Sequence, residues 1–233
     1  LKGLREGAQL IAAGRDFVPA DAFSLHVVCT GRTEAALEAD MVACRTACEQ
    51  FGGREIPNSI PKAVRASLFP APDGVLGPKG DRWAALNAKV AHSDSARIID
   101  AAHVALQPYA LEMREKGVWM SHLLIATGQT AFSFEPVFHW FDEWLPMHER
   151  MPGPEVLARF ERPAANPAAR ELVANLRIVL VNLFAELGAA SNQIGKTYPY
   201  LQSLEPRTAR LLEELKNVVD PGRAMNPGGL GLR

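Results

Sequence analysis

VWMSHLLIATGQTAFSFEPVFHWF, residues 118 to 141, decides the fold. Residues 118–128 are apolar, partly β-branched and stopped by Gly128, which reads as a strand. Residues 129–141 begin as a second strand and meet Pro136, which removes a backbone donor. Upstream, RWAALNAKVAHS (82–93) reads as a strand ending at Ser93 or Asp94. Between them, DSARIIDAAHVALQPYALEMREKG (94–117) reads as a helix capped by Asp94 or Ser95, kinked at Pro108 and ended at Gly117.

Working outward, AFSLHVVCTG (22–31) reads as a further strand, and Thr33 caps a helix that ends at Gly52-Gly53. Leu37, Met41, Cys44 and Cys48 share one face of that helix. Residues 56–81 hold five prolines and form a long irregular connection. Beyond MPGPE lies a helix over 167–188, with Leu172, Leu176, Val179, Leu183 and Leu187 as its apolar stripe. An irregular stretch, AASNQIGKTYPYL, leads to a last helix at 206–219 and a tail rich in proline and glycine. The fold class expected is α+β: a ferredoxin-like antiparallel sheet with helices on one face, followed by C-terminal helices and a return tail. Residues 1–150 are expected to form the sheet domain and 151–233 the helical segment.

The bulk numbers exclude several functions. The chain has 233 residues and a net charge of -1, so it offers no basic field for nucleic acid or an anionic membrane. Its apolar stretches fall short of the roughly twenty residues needed to span a bilayer. Three cysteines, an odd count, fit a reducing compartment and a cytoplasmic location. The chain begins Leu-Lys-Gly, which reads as part of a longer or processed protein. No glycine-rich phosphate loop, zinc-protease or nucleophile-elbow motif is present.

The tail LKNVVDPGRAMNPGGLGL (215–232), NQIGKTYPYL (192–201) and SFEPVFHWFDEWLPMH (133–148) resemble the C-terminal half of FAD-linked oxidases of the vanillyl-alcohol oxidase and D-lactate dehydrogenase type. The tail repeats their D-P-x-x-x-x-x-P-G pattern as Asp220, Pro221, Asn226, Pro227 and Gly228. The first half agrees with the family in element order. The resemblance implies that this chain is the cap, or substrate, domain of an FAD-dependent oxidoreductase acting on CH–OH groups. Its substrate would be a small D-lactate-like hydroxy acid or an alcohol. The FAD-binding domain or subunit would lie upstream of Leu1 or on a separate polypeptide, and this chain alone would be inactive. The tail would bring Asn226, Pro227 and Gly228 beside the flavin, through backbone amides at the Pro-Gly turn, with Asn192 assisting.

Oxidising an alcohol sends a hydride to the flavin and a proton to a base. His139 is the first candidate base, because its ordinary pKa lies near neutrality and aromatics surround it. Glu135, four residues earlier, shares its face in a strand and could orient it or replace it. Lys196 would bind a substrate carboxylate, with Tyr198 and Gln193 beside it. The Arg-Thr of related aryl-alcohol oxidases is matched by Lys196-Thr197, but their tyrosine is replaced by Gly195. The metal-binding Glu-His-Gly of the D-lactate branch is replaced by Asn192-Gln193-Ile194, so no metal is expected. Asn87 is a further residue expected to face the ring. His26, His92, His103, His122 and His148 show no convergent partners in the sequence. Two other readings stay open: a free-standing ferredoxin-like module that binds a ligand or partner, and one subunit of a split flavoenzyme. A homo-oligomer is compatible with either.

Overall fold

The computed structural model describes residues 22–56, 77–193 and 195–232. The chain divides into two compact units, Leu1–Ala71 and Pro72–Arg233. Of the connection expected over 56–81, residues 57–76 lie outside the described residues.

In the first unit, helix α1 (Glu34–Gln50) starts where Thr33 accepts a hydrogen bond from the Ala36 N–H, as its sequence requires. Leu37, Met41, Cys44 and Cys48 are half-buried on one face, as their spacing predicts. Residues 22–31 do not form the expected strand; they are irregular and mostly exposed. An alternating apolar segment becomes a strand only with a neighbour to complete its backbone hydrogen bonds. No strand pairs with it among the described residues.

The second unit holds the sheet. Its strands are β1 (Asp81–Ala85), β2 (Ala88–Ala91), β3 (Trp119–Thr127) and β4 (Ala131–Phe141). Strand β4 is central and antiparallel to all of its neighbours: β3 on one side, β1 and β2 end to end on the other. Ala85 pairs with Val137 and Ala88 with Phe134, so β1 and β2 keep a single register. The expected strand over 82–93 is therefore one line with a gap at Leu86–Asn87. Pro136 explains the gap. The Leu86 N–H donates to the Pro136 carbonyl at 3.0 Å, but proline has no N–H to return the bond. A proline in a central strand thus costs one rung and leaves β4 unbroken.

Helix α2 (Ser95–Leu106) follows β2, passes through a 3-10 turn at Gln107–Tyr109 containing Pro108, and continues as α3 (Ala110–Glu115). Short helices α4 (Pro146–Arg150) and α5 (Pro154–Leu157) precede α6 (Pro167–Glu186), and α7 (Pro206–Val219) leads to the tail. The order βαββα is the ferredoxin-like one. After α6 the chain returns beside β2 for a single bridge, Lys89 with Ala190, where a fourth ferredoxin-like strand would lie.

Helices α2 and α6 cover one face of the sheet. Phe134 and Phe138 of β4 are fully buried there with Ile98 and Ala102 of α2 and Leu172, Val173, Leu176, Leu180 and Phe184 of α6. The α6 stripe is turned from the sequence expectation: Val173, Leu180 and Phe184 are buried, whereas Val179 and Leu183 are half-exposed. Residues before and after position 150 share this core, and the compact units part at Ala71–Pro72, not at 150. Asp142, at the end of β4, locks the start of α6 onto the sheet. Its carboxylate accepts the Asn166 N–H at 2.8 Å and lies 2.9 Å from Arg170 Nε.

Gly80 permits this corner. Its φ is +71°, and a Cβ there would meet the Asp142 carbonyl at 2.8 Å and the Pro163 ring. Left-handed backbone costs an L-residue roughly 1–2 kcal/mol, and overpacking adds roughly 1–3. Gly80→Ala is therefore expected to destabilise the unit by about 2–5 kcal/mol, read from the urea unfolding midpoint.

Candidate functional site

Of the residues singled out from the sequence, the sheet face opposite the helices carries His139, Glu135 and Asn87; the others lie on the 192–198 loop and the tail. Paired residues of antiparallel strands share a face. His139 of β4 is opposite Trp83 of β1 and Trp119 of β3. The Trp119 indole stacks on the imidazole, with centroids 5.5 Å apart and planes 16° apart. Phe141 lies 5.1 Å from Trp119. Trp83 is 56% exposed and Leu123 of β3 is 50% exposed, so this face is open and apolar-rimmed.

His139 Nε2 is 2.7 Å from Ser121 Oγ on β3. Partial burial pushes its pKa below the usual histidine value, and the charge of Asp81 opposes this. Both the direction of that shift and its cause favour the neutral ring, the form a base needs. Glu135 shares the face, as expected, and β4 continues straight through Pro136. Four residues of strand separate the two Cα atoms by about 13 Å, at roughly 3.3 Å per residue. Val137 lies between them. Glu135 therefore does not orient the imidazole; Ser121 occupies that role. Nothing in the sequence marks Ser121, because only the β3–β4 register brings position 121 beside 139.

A second cluster forms at the gap in the β1–β2 line. Asn87, opposite Glu135 by register, is 5% exposed. Its N–H donates to the Tyr198 hydroxyl at 2.7 Å. Its side-chain Oδ1 accepts a short bond from the Asn192 N–H. Asn192 Nδ2 in turn donates to Glu135 Oε1 at 3.3 Å. Glu135, Asn87, Asn192 and Tyr198 are thus one hydrogen-bonded group drawn from three chain segments. Tyr198 is buried in the core, and burial raises its pKa. Its hydroxyl is spent on the sheet backbone, so it fixes the loop and does not reach for substrate as expected. Tyr198→Phe strands the buried Asn87 N–H; a loss of about 1–3 kcal/mol is expected by urea denaturation.

Gln193 and Lys196 are exposed on the same loop. The Gln193 carbonyl accepts the Ser191 hydroxyl at 2.9 Å. Lys196 is beside the tail: a Cβ added to Gly228 would lie 4.0 Å from its Cε.

The tail is built, not frayed. Asp220, 8% exposed, accepts Lys216 Nζ at 2.5 Å and the N–H groups of Ala224 and Met225 at 3.0 Å each. Lys216 also caps the Met225 carbonyl at 2.6 Å. The Leu230 N–H donates to the Gly195 carbonyl at 2.6 Å, docking the tail on the 192–198 loop. Arg223, Asn226 and Leu230 all have positive φ, a strained choice for non-glycine residues that this network holds in place. The turn amides have a different role from the one expected. Gly228 N–H donates to Leu232 and Gly229 N–H to Asn226, so neither is offered to a coenzyme. What the turn presents outward is exposed Asn226 and Pro227.

Lys216 holds the Asp220 carboxyl below the ordinary carboxylate value, helped by the Met225 and Ala224 amides and opposed by burial. A depressed folded pKa gives stability that is complete above the unfolded value, about 3.9, and lost as pH falls through the lower one. The protection factors of the Ala224 and Met225 amides, taken against the intrinsic exchange rate at each pH, are expected to stay high at neutral pH and fall in that acid window.

No described helix is long and apolar enough to cross a membrane. Comparison with models of known families, with curated proteins and with solved structures finds no match for this chain.

Proposed function

We propose that these residues form the substrate-facing part of an FAD-dependent oxidoreductase acting on a small hydroxy acid or alcohol. One arrangement carries the reading: an imidazole on an open, aromatic-rimmed sheet face, His139 between Trp83 and Trp119. A planar, largely apolar ring system with polar edges fits such a face, which pairs exposed indoles with Asn and Glu side chains. When bound, FAD supplies the hydride acceptor.

The chain's own residues do the rest. His139 takes the hydroxyl proton at Nε2, and Ser121 Oγ steadies that nitrogen until substrate displaces it. Glu135 and Asn192, held by Asn87, offer hydrogen bonds to substrate. Lys196 supplies the cation for a carboxylate. Asn226, Pro227 and Gly228 would border the coenzyme, through the asparagine side chain instead of the turn amides. The flavin itself would be held by a separate domain or subunit.

The test uses the natural full-length polypeptide, together with any flavoprotein that co-purifies with it. Anaerobic addition of D-lactate, other 2-hydroxy acids and simple alcohols should bleach the flavin spectrum. A preparation that carries no flavin and binds none when FAD is added would sink the proposal. It would leave the free-standing binding module in its place.

A further inference from the structure

His103 of α2 and His122 of β3 lie on the helix-covered side of the sheet, away from the candidate site. Their Nε2 atoms are 3.2 Å apart. Their ring centroids are 5.0 Å apart, with planes at 61°. The nitrogens are closer than the ring centres, so both rings tip toward a common point. Two imidazoles on one tetrahedral zinc, each with Zn–N near 2.0–2.1 Å, would hold their nitrogens about 3.3 Å apart. We propose that His103 and His122 form a two-imidazole site for a divalent transition-metal ion, zinc first among them, that straps helix α2 to strand β3.

The surroundings suit this use. His103 is exposed, so water has access to the remaining positions of the ion. His122 is half-buried, and its ring is steadied by Phe134, whose centroid is 5.6 Å away. No group of three His, Cys, Asp or Glu side chains converges among the described residues, so these contribute two ligands and solvent the rest. Affinity should follow the usual divalent order, with copper(II) above zinc and nickel. The competing explanation is a bare N–H···N hydrogen bond. That bond requires a proton on one Nε2, whereas the metal requires both Nε2 lone pairs free and both protons on Nδ1.

Titration calorimetry decides between them. The untagged, chelator-treated chain is titrated with ZnCl2 at pH 7.5, alongside His103→Gln, His122→Gln and His92→Gln. One zinc per chain is expected for the wild type and for His92→Gln. Each of the two site variants should lose at least about tenfold in affinity, since losing even an outer-shell partner costs roughly 10–100-fold. Zinc should raise the Tm of the wild type and not of His103→Gln, whose exposed side chain makes a folding defect a poor excuse. Equal zinc affinity in the wild type and both site variants, or no zinc-dependent Tm shift in any of them, overturns the proposal.

Discussion

His139→Asn is expected to lower kcat/KM for the oxidised substrate by roughly 10²–10⁴, the usual contribution of a positioned general base. At 1.36 kcal/mol per tenfold, that is about 2.7–5.5 kcal/mol of transition-state stabilisation. The fold should survive, because the ring is partly exposed and asparagine can still hydrogen-bond to Ser121. The pH profile gives an independent check. A histidine acting as the proposed base works in its neutral form, and burial moves the His139 pKa below the ordinary value of about 6.5. The acid limb of kcat/KM should therefore lie below pH 6.5 and vanish in the variant. Stopped-flow flavin reduction across pH 5–8 reads both. A variant with unchanged kcat/KM would remove His139 from the chemistry and make Glu135→Gln the next variant to measure.

Phe134→Ala is expected to cost about 3–5 kcal/mol, the range for large aromatic truncation in a packed core. Phe134 has no exposed surface and packs edge-on against Phe184 of α6, with centroids 6.1 Å apart. It lies on the central strand, so the cavity would open between sheet and helix where neither can collapse freely. A single domain commonly has only about 5–15 kcal/mol in total. Trp83→Ala, on the open face, should cost far less, because an exposed surface change usually stays within roughly 0.5 kcal/mol. Comparing the two urea midpoints at constant m tests which face is core.

The sheet was readable because its signals are local and strong. β3 and β4 are apolar runs of strand length, α2 starts directly after Asp94, α3 ends two residues before Gly117, and Pro108 lies in the break between them. Thr33 and Glu205 cap their helices as their positions suggest, Glu205 accepting from Arg207 and Thr208. What failed depended on partners. Residues 22–31 look like a strand in isolation, yet no neighbour among the described residues completes them. The α6 stripe was misplaced because α2 and the sheet, not periodicity alone, choose which residues face inward.

The site divides the same way. Glu135 and His139 on one face followed from strand periodicity. Ser121 depends on register; Asn192 on Glu135 and the tyrosine hydroxyl on Asn87 depend on a loop 57 residues beyond the first and 111 beyond the second. His103 and His122 appeared unrelated in sequence because a helix position and a strand position meet only through tertiary packing.

The outer edge beside the proline gap has a consequence of its own. At Asn87 and Lys89 the outward amides of the β1–β2 line are already taken, by the Tyr198 hydroxyl and by the Ala190 carbonyl. A stray chain looking for an edge to lengthen the sheet finds that side plugged at its middle. On the far side β3 pairs only with β4 among the described strands, so β3 is the flank along which unwanted strand addition between molecules would begin.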